Sequence, residues 1–238
     1  MREIALTPLR GLAIAAFLVL CGAIAGCTQT EPVKHTAHQK PIPPGSRVLL
    51  MKPDIECVAV TMAGLPEPNA AKTAEAQRNV EAALSRTLTS HEAELVKYDD
   101  SALSPETTKR HLELYRLYEM VGVAMMSRAA IPTAKAKTNW SLGPGVSDIK
   151  RDFEADYALF IHLRDHYETG GRTAFRVTAA VFGIVTMSAS DRGFAALVDL
   201  ESGDIVWFNE LYMSAGSLTS TSGASETVDA LLEGCPVQ

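Results

Sequence analysis

Short apolar stretches with strand character alternate along this chain with amphipathic stretches of helical spacing. The strand patterns occupy residues 47–51, 94–98, 156–162, 194–200 and 204–209. The helical patterns occupy residues 73–91, 105–131, 146–154 and 224–232. This alternation is typical of an α/β domain in which helices cover a mixed β-sheet. The length of 238 residues suits one domain, so we predict a single α/β domain.

The last two strand patterns flank Glu201-Ser202-Gly203. Glycine between two apolar runs indicates the turn of a β-hairpin. The pattern after it places Ala224, Val228 and Leu231 on one face and stops before Gly234, which predicts a terminal helix. Between the sheet patterns, residues 173–187 mix helix-favouring alanines with strand-favouring valines and isoleucine. We predict a helix there, too short to span a bilayer.

The N-terminus has the pattern of a secretory leader. Arg2 and Arg10 accompany an uncharged run over residues 11–25, which is shorter than the about 20 apolar residues of a membrane span. The run ends in Ile24-Ala25-Gly26-Cys27 and resembles the bacterial lipobox, whose cysteine receives a diacylglycerol before cleavage. The alternative is an ordinary signal peptide that happens to contain a cysteine.

The lipobox resemblance implies three segments. Residues 1–26 are the lipoprotein signal peptide, and residues 27–45 are the lipidated Cys27 with a polar, proline-rich, flexible tether. Residues 46–238 form the periplasmic domain. Thr28 stands where many inner-membrane lipoproteins carry an aspartate, so the resemblance implies palmitate-bearing attachment to the outer membrane, on its periplasmic face.

Two cysteines remain after processing. Cys21 leaves with the leader and Cys27 is lipidated, so only Cys57 and Cys235 stay as thiols. Leftover cysteines in an oxidising compartment usually pair, and we predict a Cys57–Cys235 disulfide. The alternative is two unpaired buried thiols.

Two stretches, "DIKRDFEADYALFIHLRD" and "ALVDLESGDIVWFNE", resemble a known envelope domain. It is the small periplasmic domain shared by the curli-secretion lipoprotein, the N-terminal domain of TolB and the penicillin-binding-protein activator lipoproteins. The matching positions are Asp156, Tyr157, Asp199, Gly203 and Trp207. The resemblance implies the fold and an envelope location, and it carries no catalytic residues.

Candidate chemistry is sparse in the sequence. His162, Arg164 and His166 share one face of a predicted strand, but histidines four residues apart on a strand lie about 13 Å apart. They predict a polar sheet edge rather than a metal site. His91-Glu92 lacks the second histidine of a zinc-protease helix, and neither a GxSxG nor a phosphate-binding loop motif occurs. We therefore expect no catalytic residues, no metal and no cofactor.

The expected function is contact rather than catalysis. We predict a binding or assembly module of the cell envelope whose partner is an envelope protein or a second copy. The net charge of −6 argues against nucleic acid. One alternative is a subunit of an envelope secretion or pore complex, which calls for alternating strands of about 9–11 residues. The other is a periplasmic hydrolase.

The predicted partner surface combines residues 139–154 with the exposed edge of the 194–209 hairpin. Asp199, Asp204 and Trp207 are its candidate contact residues. Edge strands can accept a partner strand. Trp207 is open to two interpretations, a core residue of the hairpin or an interface anchor.

Overall fold

The structure is a computed structural model that describes residues 29–32, 42–88, 94–127, 139–184, 192–213 and 216–237. Within these residues one mixed sheet is covered on both faces by helices, which confirms the predicted single α/β domain. The strands are β1 (Gln29–Pro32), β2 (Arg47–Leu50), β3 (Asp54–Val60), β4 (Pro66–Pro68), β5 (Glu94–Lys97), β6 (Tyr157–Glu168), β7 (Arg192–Asp199) and β8 (Ile205–Met213). The helices are α1 (Ala70–Thr87), α2 (Pro105–Met126), α3 (Ser147–Phe153), α4 (Gly170–Val181) and α5 (Thr221–Leu231), with a 3-10 turn at Pro144–Val146.

Strand β6 organises the sheet. Its first residues pair in parallel with β2, and its last residues pair in parallel with β3. Its other edge pairs antiparallel with β7, which forms the predicted hairpin with β8. Beyond β2 lies β5, beyond β3 lies β4, and beyond β8 lies β1. The predicted C-terminal hairpin and terminal helix α5 are both confirmed.

The strand directions give the sheet two distinct ends. At one end Gln29 lies opposite Met213, and Val60 lies opposite Glu168; we call this the Gln29 end. At the other end Tyr157 lies opposite Asp199, next to the turn at residues 199–204; we call this the hairpin-turn end.

Each face of the sheet buries its own core. Side chains alternate across β6, so Leu159 and Ile161 face one core while Phe160 faces the other. The first core lies under α1 and α5 and contains Val80, Leu84, Val228 and Leu231. The second lies under α2 and α3 and contains Tyr118, Ile149, Phe194 and Phe208. Sequence-distant helices are thus held on a common sheet by apolar burial.

The observed N-termini of the helices can be compared with those that the sequence predicts. Ser104 caps α2, accepting a hydrogen bond from the Thr107 backbone N–H at 3.1 Å, as its Ser-Pro-Glu sequence predicts. Helix α1 begins three residues before the expected Thr73, because Asn69 caps it through Lys72 N–H at 3.0 Å. Helix α4 confirms the helix prediction for residues 173–181. The helix ends at Val181, so residues 182–184 are not helical, and residues 185–187 lie outside the described residues.

Strand β3 was missed by sequence analysis, which ended the first strand near Pro53. Residues 54–60 form a full strand beside β6, with Ile55 and Cys57 buried in the first core. The alternation is obscured because Asp54 and Glu56 occupy the other face. Strand β4 contains Pro66 and Pro68, and prolines at this density are typical of a loop rather than of a strand.

Residues 29–32, which the sequence assigns to the tether, form strand β1 on the outer edge of β8. The predicted exposed edge of the hairpin is therefore wrong, because β1 occupies it. The residues of the predicted leader, Cys27, and residues 33–41 of the predicted tether lie outside the described residues.

The two remaining cysteines are buried and belong to the same core, under α1 and α5. The structure shows no disulfide between them, and the Cys57 sulfur lies 3.9 Å from Asp165 Oδ2. Burial raises the pKa of Cys235 to about 12. The disulfide stays a prediction, tested by titrating thiols in the denatured, unreduced protein: none supports the bond, and two contradict it.

Candidate functional site

The predicted contact segments meet at the hairpin-turn end. Leu142 N–H donates to Gly203 O at 2.8 Å, and Ile205 N–H donates to Trp140 O at 2.9 Å. Ser141 also forms a bridge with Asp204. Residues 139–154 are therefore fixed to the hairpin although the contacting residues are more than sixty positions apart in sequence. The structure thus brings together two of the predicted contact regions.

Glycine at position 203 permits this close approach. Its φ is +79°, and a Cβ there would lie 2.2 Å from Gly143 O. Any side chain would both strain the backbone and separate the turn from the neighbouring loop. The predicted turn glycine therefore serves two contacts at once.

The three named contact residues differ in role. Trp207 is only 8% exposed and belongs to the core under α1 and α5, which is the core interpretation of this residue. The Asp199 carboxylate accepts hydrogen bonds from the Glu201 and Ser202 N–H groups at 2.8 and 3.3 Å and so holds the turn. Asp204 O accepts from Asp199 N–H at 2.9 Å.

Sequence reasoning missed a cleft at the same end. Its volume is about 400 Å³, and it is lined by Pro43, Pro44, Gly45, Ser46, Lys150, Asp156, Tyr157, Asp199 and Glu201. Lys150 Nζ contacts the Glu201 carboxylate across its rim. This hydrogen bond raises the pKa of Lys150 and lowers the pKa of Glu201. The cleft can offer both signs of charge to a partner surface.

A second polar cluster lies between β3, β6 and α2. Arg164 Nη2 is 2.7 Å from Asp54 Oδ2, and its Nε is 3.4 Å from Glu56. His162 Nδ1 is 3.1 Å from Asp54 Oδ2, while its ring stacks on Phe194 with 4.8 Å between centroids. Burial would raise the pKa of Asp54, but contacts with His162 and Arg164 outweigh it and hold that pKa at about 2.

This cluster contains a set of possible metal ligands. Asp54, Glu119 and His162 each offer one ligand atom, and these three atoms lie within 4.8 Å of one another. The positive charge among them is Arg164, whose Nη2 also lies 3.9 Å from Glu119. A divalent ion would have to displace this guanidinium, so the donor set is that of an ion-pair network. His162 and Arg164 share the face that the sequence predicts.

A groove of about 470 Å³ runs beside α2 from this cluster towards Tyr98 and His111. His111 is buried, with Nε2 3.2 Å from Asp152 and Nδ1 3.3 Å from the Tyr98 hydroxyl. Burial lowers the pKa of His111 despite the nearby Asp152, and burial raises the pKa of Tyr98. Both groups are therefore neutral near pH 7. They connect α2, α3 and the loop after β5.

The β5 and β4 edges of the sheet offer little for an added partner strand. Strand β5 has four residues with a charged residue at each end. Strand β4 has three residues, two of them prolines without an N–H. Short, charged or proline-containing edges are the usual ways in which proteins prevent strand addition. With such edges, a partner would be bound by side chains, such as those at the hairpin-turn end, rather than by strand addition.

Among the residues that the structure describes, no helix combines the length and apolar character needed to cross a membrane.

No family model matches the chain, and no curated protein matches it. Among solved structures, the chain is similar to a PelC dodecamer from Paraburkholderia phytofirmans. The sequence identity is 14% and the TM-score is 0.41, and the match covers 89% of this chain and 99% of that chain.

It is also similar to a second PelC dodecamer structure from the same organism, at 11% identity and TM-score 0.39 over 86% of this chain and 97% of that chain. The C-terminal domain of LpoB from Salmonella enterica gives 17% identity and TM-score 0.27 over 74% of this chain and 88% of that chain. These likenesses are distant, and the chain's role has to be inferred from its own residues.

Proposed function

We propose that this chain is an outer-membrane lipoprotein, held by a lipid on Cys27, that acts as a binding or assembly module on the periplasmic side of the cell envelope. Its contact surface is the hairpin-turn end, formed by residues 139–154, the cleft beside Lys150 and the turn at residues 199–204. Its partner is an envelope protein or a second copy, and contact rather than catalysis is its role.

The observation that carries this proposal is the position of β1. Gln29 follows Cys27 by two residues and lies opposite Met213, at the far end of the hairpin from its turn. Two residues span at most about 7 Å. A lipid on Cys27 would therefore hold the Gln29 end close to the membrane, while the hairpin-turn end would face the periplasm.

The hairpin-turn end also has properties suited to recognition. Its backbone is fixed by hydrogen bonds between distant segments, so little order has to be gained on binding. Its rim carries Lys150 and Glu201, both outside the core. Charges of both signs around a rigid surface favour specificity in protein contacts.

Site-specific photo-crosslinking in cells tests this proposal. A photoreactive residue at Ser202, at the exposed tip of the hairpin, should give discrete crosslinked species. The matched control is Arg78, an exposed residue of α1 away from the hairpin turn. Crosslinks from Arg78 and not from Ser202, or from neither, would contradict the proposed surface; adducts between two copies would identify the partner as the chain itself.

A further inference from the structure

Helix α4 is amphipathic, and its apolar face points away from the protein. Arg172, Arg176 and Ala179 recur at helical spacing and are the least exposed residues of the helix. Arg176 Nε lies 3.1 Å from the Glu168 carboxylate of β6. The polar side of α4 is therefore the side that packs on the domain, the reverse of the usual arrangement.

The outward side carries two large apolar residues near the end of the helix, and two more follow directly after it. Val177 is 61% exposed and Val181 is 79% exposed, and Phe182 and Ile184 directly after the helix are 77% and 56% exposed. We call these four residues the α4 apolar face. No charged residue lies between positions 177 and 184. A contiguous apolar face of this kind marks a contact with a membrane or another protein.

This face lies at the Gln29 end. Helix α4 follows directly from the end of β6, where Glu168 pairs with Val60, and Gln29 lies at the same end of the sheet. The turn after β3 adds Met62 and Leu65, which are 65% and 66% exposed, and Gly64 between them adjoins Arg172. These exposed apolar residues share the end of the sheet at which Gln29 lies, with β1 on one edge of the sheet and β4 on the opposite edge.

We propose that the α4 apolar face docks onto the outer-membrane surface in which the lipid of Cys27 is anchored. This inference rests on the proposed lipid anchor and adds a second membrane contact to it. Amphipathic helices with such a face lie in the interface, about 5–10 Å into the boundary between headgroups and acyl chains. The contact would orient the domain, with the hairpin-turn end directed away from the membrane.

Tryptophan quenching in vesicles tests the docking. The lipidated protein carrying Val181→Trp would be reconstituted into phospholipid vesicles whose acyl chains are brominated close to the headgroup. Ser202→Trp at the hairpin-turn end is the matched control, and Phe182→Trp is a second reporter. The native Trp140 and Trp207 are each 8% exposed and give a background common to all variants.

We expect the Val181 and Phe182 reporters to lose most of their added emission, and the Ser202 reporter to lose none. A protein that floats with the vesicles while its α4 reporters remain unquenched would overturn the docking and leave the anchor intact. Blue-shifted but unquenched α4 reporters would show that a second copy or another protein covers this face, which also overturns it. Failure to float would overturn the anchor, and the docking with it.

Discussion

Replacing Gly122 by alanine should destabilise the protein, although alanine is the better helix former. Gly122 lies within α2 and is buried. A Cβ there would lie 2.0 Å from Cε2 and 2.5 Å from Cζ of Phe194. The Phe194 ring is itself held by Tyr118, His162 and Phe208, with centroids 5.2, 4.8 and 5.7 Å away, so it has no room to move aside.

Two effects oppose each other in this variant. Alanine gains about 0.8–1.0 kcal/mol of helix propensity over glycine, while overpacking a filled core costs typically about 1–3 kcal/mol. Because the added Cβ would lie much closer to the Phe194 ring than a van der Waals contact allows, we expect a cost in the upper part of the range of about 1–3 kcal/mol for overpacking. The net loss is about 2 kcal/mol of unfolding free energy, or roughly 4–8 °C in Tm for a domain of this size.

Thermal and urea unfolding would measure this effect. Gly171→Ala in α4 is the matched control, because nothing lies within 4 Å of its added Cβ; it should gain up to about 1 kcal/mol. In a Phe194→Leu background, which removes the ring, Gly122→Ala should be neutral or stabilising. An equal loss in both backgrounds, or a gain in the native one, would refute the close packing of α2 on β7.

Three further predictions concern the side chains of Asp54, Trp207 and Asp165. Asp54 has a pKa of about 2 against an ordinary 3.8, so its ion pairs stabilise the fold above that ordinary value and the contribution is lost as pH falls towards 2. The shift corresponds to roughly 2 kcal/mol. Because the side chain is 35% exposed, solvent screening reduces this contribution, and we expect Asp54→Asn to cost about 1 kcal/mol at pH 7 and much less near pH 2 in denaturant unfolding. Trp207→Ala should lower the unfolding free energy by about 3–5 kcal/mol; an unchanged Tm with lost crosslinks would instead favour the interface-anchor interpretation. Asp165→Ala leaves the Leu218 N–H, now 3.0 Å from the carboxylate, without its acceptor, and should cost about 1–3 kcal/mol, whereas an unchanged midpoint would contradict this buried contact.

Local signals in the sequence predicted much of the fold. Ser104-Pro105 predicts the start of α2, and the glycine between two apolar runs predicts the β7–β8 hairpin, because capping and turn conformations depend on a few adjacent residues. Strand β3 was missed because its Asp54 side chain looks like an exposed loop residue. That carboxylate is placed in a strand by Arg164, 110 residues away, and such a pairing leaves no local trace.

The site was predicted less completely than the fold. The sequence predicts residues 139–154 and the hairpin as contact surfaces, and this stays a prediction. The hydrogen bond that joins the two segments, from Leu142 to Gly203, is a tertiary contact that leaves no local pattern in the sequence. The amphipathic pattern of α4 is visible in the sequence, but a pattern defines two faces without saying which one meets the core. The outer edge of β8 is predicted to be free because residues 29–32 have no strand pattern that would set them apart from the polar tether predicted around them.

Metabolic labelling with palmitate tests the central claim most directly. The full chain, expressed with its leader, would be compared with a Cys27→Ala variant by labelling and by separation of inner and outer membranes. The account predicts label and outer-membrane location for the native chain, and neither for the variant. Equal label in both chains, or no label in either, would contradict a lipid on Cys27 and with it the orientation proposed for the domain.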